Sequence, residues 1–244
     1  MKQTNMDQEL PLFVLAGGFG SRLESVLDGS PKPLAPVNGK PFLYLQIEQW
    51  IMQGCVSFIF LLHHRADAII KFLDNEKYKL LKGCQVKFVI EPEPMGTGGA
   101  VSYALKQLAL KGDFLLTNAD TWLGLSLDKI MKAVSPAMLV VKVDDVGRYG
   151  EVLFDQNNLI TAFTEKGVRH NPGWINTGIC RMNTSYFEGW NFEPFSIEQT
   201  IYQHLVRERC LRAVPVEADF IDIGVPKDYI RFCRWIESEK RMRL

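Results

Sequence analysis

The chain has no excess of charge of either sign and no long apolar run. Its 28 lysines and arginines balance 28 aspartates and glutamates, so no overall field attracts nucleic acid or an anionic membrane. No apolar stretch approaches the length needed to cross a bilayer, and the polar residues 1–10 do not have the pattern of a signal peptide. These absences favour a cytoplasmic protein that binds neither nucleic acid nor membrane.

Cysteine and histidine are scarce and scattered. The five cysteines contain no Cys-x-x-Cys pair, which favours free thiols in a reducing compartment over disulfides or a zinc site. The four histidines show no metal-binding spacing, so a zinc hydrolase has no support. One pair, in His63-His64-Arg65, follows an apolar run and is interpreted as a solvated loop, with a place beside a ligand as the alternative.

The chain does contain a series of short apolar, β-branched runs separated by helical stretches. Its 244 residues suit one domain. Continuous apolar strands alternating with helices predict an α/β fold, with a Rossmann-like, mostly parallel central sheet flanked by helices. The predicted strands of this first half are residues 10–15, 56–62, 86–90, 114–117 and 138–143, and its clearest helices are 42–52 and 100–110.

The pattern changes to shorter strands from about residue 148. Segments 151–154 and 159–164 flank an Asp-Gln-Asn-Asn turn and predict a hairpin. Further strands are predicted at 173–182, 211–216 and 220–223, before a helix that begins at Pro226. The prediction is a single domain over 1–244, with an α/β half at about 8–147 and a strand-rich half at about 148–244.

A glycine loop directly follows the first predicted strand. It reads Leu15-Ala-Gly-Gly-Phe-Gly-Ser-Arg-Leu23, and Pro31-Lys-Pro-Leu34 follows it. Glycines let backbone N–H groups approach a ligand, and Ser21 is a good N-cap for a helix whose N-terminus favours anions. With the charges of Arg22 and Lys32 the motif predicts a polyphosphate site, the alternative being a plain strand-to-helix turn. It matches neither the dinucleotide fingerprint nor a P-loop.

Asp120 and Asp222 are the candidate metal ligands. Each comes at the end of an apolar strand, so each carboxylate is expected at the sheet edge where ligands of open α/β sheets bind. Two carboxylates completed by phosphate oxygens and waters suit Mg²⁺. For Asp120 alone, an Asx turn is an equal alternative.

These motifs resemble the signature of the sugar-1-phosphate nucleotidyltransferases, and the resemblance covers most of the chain. It includes Glu91-Pro-Glu-Pro-Met-Gly-Thr-Gly-Gly-Ala100, Asn118-Ala-Asp120, Arg148-Tyr-Gly-Glu151, Glu165-Lys166, Asn176-Thr-Gly-Ile179 and Phe220-Ile-Asp-Ile-Gly-Val-Pro226. Within the family the chain looks most like the bacterial guanylyltransferases that act on D-glycero-D-manno-heptose 1-phosphate. It departs slightly at Ser21, where threonine is commoner, and at Ala119, where glycine is usual.

The resemblance implies a GT-A-like fold and the Mg²⁺-dependent reaction of GTP with a sugar 1-phosphate, giving GDP-sugar and pyrophosphate. It implies a nucleotide-binding first half, a sugar-binding second half, a possible homodimer, and a role in capsule, surface-layer or lipopolysaccharide assembly. The implied catalytic cations are Arg22, Lys32 and Lys166. The implied nucleotide-binding residues are Leu15, Ala16, Gly17, Gly18, Gly20, Ser21, Glu91, Gly96, Thr97 and Asn118. The implied sugar-binding residues are Gly150, Glu151, Glu165, Asn176 and Thr177.

Glu91 carries a hypothesis about base choice. Pyrimidine-using relatives usually have glutamine there, whereas an ionised glutamate only accepts hydrogen bonds. Guanine offers two adjacent donors that a carboxylate could engage, so Glu91 is expected to help select GTP; the alternative is that backbone atoms alone read the base. The same reaction with mannose 1-phosphate or another nucleotide, and a non-catalytic nucleotide-sugar sensor, remain alternative functions.

Overall fold

A seven-stranded sheet forms the centre of the computed structural model, which describes residues 10–23, 27, 29–124 and 127–242. The strands of this sheet are β1 (Leu12–Leu15), β4 (Ser57–Leu62), β5 (Gln85–Ile90), β6 (Asp113–Asn118), β8 (Ala137–Val143), β11 (Gly173–Asn183) and β12 (Arg212–Val216). Their order across the sheet is β12-β8-β11-β6-β1-β4-β5.

Smaller elements surround this sheet. Three two-stranded sheets pair β2 (Pro36–Val37) with β3 (Lys40–Pro41), β7 (Thr121–Leu123) with β13 (Phe220–Asp222), and β9 (Val152–Phe154) with β10 (Ile160–Phe163). The α-helices of the described residues are α1 (Phe42–Met52), α2 (Ala66–Glu76), α3 (Gly96–Gln107), α4 (Asp128–Lys132), α5 (Gln203–Arg207) and α6 (Pro226–Met242).

The sheet is mostly parallel, as the sequence predicts. β11 runs antiparallel to β6 and β8, whereas the other four neighbouring pairs are parallel. Strands from before and after residue 148 therefore lie in one sheet. Because β1 lies between β4 and β6 and all three run in the same direction, the loops after these strands meet at one edge of the sheet.

Helices cover both faces of the sheet. Because alternate strand residues point to opposite sides, one strand contributes side chains to the buried clusters on both faces. Leu12 and Val14 pack with Ile47 of α1 in one buried cluster. Phe13, between them in sequence, packs with Val101 of α3 in the other. Burial on both faces explains the continuous apolar strands that the sequence shows.

Strand β5 does not follow this pattern. It lies at the edge of the sheet, and only Val89 of its six residues is buried. Phe88 and Ile90 are 44% and 46% exposed. β5 is therefore mostly exposed, in keeping with its place at the edge of the sheet, where β4 is its one strand partner among the described residues.

Two helices differ from the sequence prediction. The helix predicted at 100–110 is α3, which begins earlier, at Gly96, and ends at Gln107. α2 was not predicted, although its buried residues Ala66, Ile69 and Leu73 recur at the helical spacing that could have revealed it. The predicted hairpin is confirmed as β9 and β10, with a register shift between Ile160 and Ala162.

The five cysteines are free, as expected, and Cys55 and Cys180 are buried. Burial raises the pKa of the Cys55 thiol to about 11 and that of Cys180 to about 12. In the described part of the chain, no helix combines the length and the apolar character needed to cross a membrane.

A third buried cluster fixes α6 against the region before α1. Phe232 of α6 is fully buried, with its ring centroid 5.0 Å from that of Phe42 and 5.3 Å from that of Trp122. Ile221 and Ile223, which flank Asp222, belong to the same cluster. The packing of α6 therefore sets the position of the segment that carries Asp222.

We expect Phe232→Ala to lower the free energy of unfolding by about 3–5 kcal/mol, because it removes a fully buried ring and leaves a cavity. Urea unfolding followed by circular dichroism measures the change. The matched control is Ile230→Ala on the same helix, where the side chain is 46% exposed and the expected change is within about 0.5 kcal/mol. Equal effects of the two substitutions would contradict this account of α6.

Candidate active site

Two adjoining cavities lie where β1, β4 and β6 end. One has a volume of about 290 Å³ and is bordered by Gly20, Arg22 and Lys32. The other, of about 410 Å³, is bordered by Glu91, Gly96, Thr97 and Asn118. Both share the lining residues Leu15, Gly18, Phe19 and Asp120. The position at the carboxyl ends of parallel strands is the one at which open α/β sheets bind ligands.

The glycine loop forms the wall between the two cavities. A Cβ on Gly17 would lie 3.0 Å from Glu91 Oε1, and Gly20 has a φ of +66°, so neither position readily accepts a side chain. Within the described part of the chain, the N–H groups of Gly18, Phe19 and Gly20 have no hydrogen-bond acceptor. They are therefore available to an anionic ligand.

Directly after the loop, Ser21–Leu23 form a 3₁₀ turn, and Leu27 is α-helical; the residues between them lie outside the described residues. The Leu23 N–H donates to the Gly20 carbonyl oxygen at 2.9 Å. Arg22 is exposed and lines the smaller cavity. The predicted cap by the Ser21 side chain lies outside the described residues.

Lys32 is the charge at the centre of the site. Its ammonium donates to Asp120 Oδ2 at 2.6 Å and lies 3.7 Å from Asp222 Oδ1. Its side chain is only 10% exposed, so the two carboxylates compensate a charge that is largely removed from water. Pro31 and Pro33 fix the backbone on both sides. The structure thus brings Lys32 and both candidate metal ligands together.

Asp222 reaches this place by a route other than the predicted one. Its strand, β13, is not part of the central sheet but pairs with β7, with Asp222 opposite Thr121. The Ile223 N–H donates to the Asp120 carbonyl oxygen at 3.0 Å. This small sheet brings the Asp222 carboxylate to the sheet edge where Asp120 lies, although β13 is not itself a strand of the main sheet.

The pair of aspartates suits a hard cation. Their oxygens already hold the Lys32 ammonium between them, which shows that the site favours positive charge. Among the described residues no three histidine, cysteine or acidic side chains form a metal cluster. A divalent ion would therefore take its remaining ligands from phosphate oxygens and water, an arrangement that suits Mg²⁺.

Glu91 lies at the far side of the larger cavity. It is 8% exposed, and its Oε2 accepts a hydrogen bond from the Met95 N–H at 2.9 Å. Burial raises the pKa of this carboxyl, while the Met95 N–H and the nearby His63 act in the opposite direction. A largely buried acceptor thus faces the cavity, beside the glycine loop.

The start of α3 forms the floor of the larger cavity, and it packs tightly against segment 193–198. A Cβ on Gly98 would lie 2.1 Å from the Phe195 ring, and the Gly98 N–H donates to the Phe195 carbonyl oxygen. The Thr97 hydroxyl donates to Glu198 Oε2 at 2.8 Å. Gly96 and Gly98 at this helix start are therefore required by the approach of Phe195.

The larger cavity also has lining residues that the sequence does not single out, namely Phe19, Pro94, Ala100 and Glu198. His63 lines the same cavity, and its Nδ1 lies 3.2 Å from the Glu91 carbonyl oxygen. For His63 the structure therefore favours the alternative of a place beside the ligand site over a solvated loop. No sequence signal pointed to Glu198, because it reaches the cavity through the tertiary contact of its segment with α3.

The predicted sugar-binding residues line neither cavity. Glu165 and Lys166 are exposed in the turn after β10. This turn is tied to the loop after β8, since the Gly167 N–H donates to the Gly147 carbonyl oxygen at 2.7 Å. A Cβ on Gly150 would lie 2.5 Å from the Thr164 carbonyl oxygen. The structure thus places Gly150 beside the predicted residues of the turn but does not bring Lys166 to the lining of either cavity.

The remaining sugar-side residues are engaged within the protein. Thr177 is 1% exposed and its hydroxyl donates to the Leu139 carbonyl oxygen, so in the free protein its side chain bonds within the sheet. Glu151 Oε2 accepts from Arg169 at 2.9 Å. Asn176 accepts from the Gly178 N–H. A Cβ on Gly178 would lie 2.4 Å from Asn118 Nδ2, which places this bulge of β11 next to the larger cavity.

Arg148 adds a second cation near Asp222. Its Nη1 donates to Asp228 Oδ2, and its Nη2 lies 3.8 Å from Asp222 Oδ2. The guanidinium carbon is 5.1 Å from the centroid of the Tyr149 ring. Arg148 thus connects the loop after β8 with the start of α6.

Comparisons with known proteins agree with this geometry. Residues 12–239 match the nucleotidyl transferase family model. The chain is 35% identical over 221 residues to the D-glycero-alpha-D-manno-heptose 1-phosphate guanylyltransferase of Campylobacter jejuni, covering 90% of this chain and 96% of that one. It is 31% identical to a mannose-1-phosphate guanylyltransferase catalytic subunit beta of Drosophila melanogaster, covering 92% and 62%.

A solved structure shows the same fold. HddC from Yersinia pseudotuberculosis, crystallised in complex with GMP-PN, superposes with a TM-score of 0.79 at 34% sequence identity, covering 93% of this chain and 99% of that one. The chain therefore belongs to the nucleotidyl transferase family, in the part of it formed by the sugar-1-phosphate nucleotidyltransferases.

Proposed function

We propose that this enzyme transfers the guanylyl group of GTP to D-glycero-α-D-manno-heptose 1-phosphate, giving GDP-heptose and pyrophosphate. The observation that carries the reaction type is Lys32 held between Asp120 and Asp222, beside a glycine loop whose N–H groups have no acceptor among the described residues. The choice of nucleotide and sugar is supported by the similarity to the heptose 1-phosphate guanylyltransferase of Campylobacter jejuni.

The chain's own residues mainly neutralise charge and position the substrates. A sugar phosphate is already an anion near neutral pH, so its attacking oxygen needs no general base. The obstacle is repulsion between this anion and the triphosphate. In this proposal the loop N–H groups, Arg22 and Lys32 hold the triphosphate and reduce that repulsion, which is how phosphoryl-type transfer is generally catalysed.

Asp120 and Asp222 would hold Mg²⁺ in this proposal. When bound, the ion would supply a Lewis acid beside the phosphates. A cation there would also repel the Lys32 ammonium from the two carboxylates and leave it free to donate to a phosphate oxygen. Lys32 then serves one role in the free protein, balancing the aspartates, and another with nucleotide bound.

The sugar phosphate is proposed to approach from the turn after β10. Lys166 would meet its phosphate, while Gly150, Glu151, Glu165 and Asn176 would contact the sugar. Because Lys166 lines neither cavity in the free protein, its side chain must move toward them when the sugar phosphate binds. The similarity to a mannose-1-phosphate guanylyltransferase makes mannose 1-phosphate the second candidate. A panel of sugar 1-phosphates against four nucleoside triphosphates, scored by pyrophosphate release, separates the two and also tests the sensor alternative, which predicts no release.

Glu91 is proposed to select guanine. A buried carboxylate can accept hydrogen bonds from guanine N1–H and its amino group, whereas a pyrimidine carbonyl facing it would be repelled. One of its oxygens already accepts from Met95, which fixes the orientation of the carboxylate. The cellular site is proposed to be the cytoplasm, with reduced thiols, and the assembly a homodimer.

We expect Asp222→Asn to lower pyrophosphate release by about 10²-fold or more, because the change removes one of two carboxylates that would hold the ion. Asp219→Asn is the matched control, since this exposed aspartate lies three residues earlier and its side chain touches neither Lys32 nor the cavities. Thermal unfolding confirms that both variants fold. Full turnover by Asp222→Asn would disprove its assigned role.

We expect Glu91→Gln to reduce the preference for GTP over UTP and dTTP, in kcat/KM, by about ten- to a hundredfold, since an amide can both donate and accept. Glu93→Gln, at an exposed position, should leave the preference unchanged. An unchanged preference in Glu91→Gln would leave the base to be read by backbone atoms alone.

The same variant has an expected effect on stability. The raised pKa of Glu91 means that folding favours protonation of this carboxyl relative to the unfolded chain. This contribution is present below the unfolded pKa and is lost as the pH rises through the folded value. Glu91→Gln should therefore unfold at a higher temperature than the wild type at pH 7.5, with a smaller difference at pH 4.5. If the difference in unfolding temperature between Glu91→Gln and the wild type grew as the pH fell, the raised pKa of Glu91 would be contradicted.

A further inference from the structure

The guanidinium of Arg148 lies between two carboxylates and is held by one of them. It donates a hydrogen bond to Asp228, whereas its distance of 3.8 Å from Asp222 Oδ2 exceeds that of a hydrogen bond. Arg148 is therefore hydrogen-bonded to Asp228, whereas its interaction with Asp222 is electrostatic attraction without a hydrogen bond.

The surroundings of Asp228 stabilise its negative charge and its contact with Arg148. It is 4% exposed and lies in the first turn of α6, where the helix favours negative charge. Its other oxygen, Oδ1, lies 3.6 Å from Arg231. The Tyr149 ring packs against the guanidinium of Arg148, and that ring in turn contacts Phe220 at 5.5 Å between centroids. The partners of Arg148 thus restrict its movement.

The charges around this point balance. Lys32, Arg148 and Arg231 face the carboxylates of Asp120, Asp222 and Asp228. If Asp228 lost its charge, the nearest remaining carboxylate for Arg148 would be Asp222. A guanidinium hydrogen-bonded to Asp222 would compete directly with any cation that this carboxylate is to hold.

We propose that Asp228 is a positioning residue that binds Arg148 and so keeps Asp222 available to a divalent cation. The inference rests on the proposed function, in which Asp120 and Asp222 hold the ion. It assigns a role to Arg148 and Asp228, and it explains why a buried carboxylate that contacts neither cavity is paired with an arginine so near the site.

The test measures binding of Mn²⁺ to the whole protein with GTP and without sugar phosphate, so that no turnover occurs. The free Mn²⁺ signal in electron paramagnetic resonance gives the dissociation constant, once the Mn²⁺ that GTP alone binds in a protein-free titration is subtracted. We expect Asp228→Asn to weaken Mn²⁺ binding by about tenfold, the scale of one hydrogen bond to a charged group. Asp113→Asn is the matched control, because Asp113 also pairs with a partly buried arginine, Arg181, at the opposite end of β6.

A double-mutant cycle separates positioning from a simple change of charge. Asp228→Asn should have less than about a twofold effect when Arg148→Gln is also present, since no guanidinium is left to move to Asp222. Arg148→Gln alone should leave Mn²⁺ binding unchanged or tighter. An equal loss from Asp228→Asn in both backgrounds would show a through-space charge effect and overturn the proposal.

Further outcomes distinguish this inference from the proposed function. If Asp222→Asn leaves Mn²⁺ binding unchanged, the metal site itself is wrong and the inference fails with it. If Asp222→Asn weakens binding but Asp228→Asn does not, only the role of Asp228 is wrong. If Asp228→Asn does not fold, Arg148→Gln alone still tests the proposal. Removal of a cation that could compete for Asp222 should not weaken Mn²⁺ binding, so weaker binding in Arg148→Gln would overturn the proposal.

Discussion

A lysine ammonium held between two carboxylates is the interaction on which the arrangement of this site depends. A charge that is nine-tenths buried requires opposite charge close by, and Asp120 and Asp222 supply it for Lys32. The two aspartates in turn require a cation, since neighbouring carboxylates repel each other without one. The loop after the glycine motif, the end of β6 and the end of β13 are therefore fixed relative to one another by charge.

The backbone brings these groups together in two stages. The parallel order of β4, β1 and β6 first places the glycine loop, His63 and Asn118 at one edge of the sheet. The small sheet of β7 and β13 then carries Asp222 across to Asp120. The buried ring of Phe232 holds α6 behind this second sheet. Packing away from the cavities thus supports the position of the Asp222 carboxylate beside Lys32 and Asp120.

The sequence correctly predicted helices and strands that have a strong local pattern. Its predictions were wrong where a tertiary contact overrides the local pattern. The parallel sheet follows from its continuous apolar strands. The start of α3 was placed too late because glycines are poor helix formers, whereas here Phe195 occupies the space that side chains would need. Thr177 belongs to a motif of the family, but its hydroxyl is turned into the sheet toward Leu139, which no local pattern reveals.

The sequence by itself determined a polyphosphate site and a cation site, because glycines, flanking prolines, two cations and two strand-end aspartates are local features with local physical meaning; the reaction was implied by the resemblance of these motifs to a family. The residues that it assigned to the nucleotide and the cation lie together where the structure describes them. Only the tertiary structure decided which charge faces which: Lys32 between the aspartates, Arg148 on Asp228, and Lys166 away from both cavities. Such pairings depend on distances of a few ångströms between segments remote in the chain, and no spacing along a sequence encodes those distances.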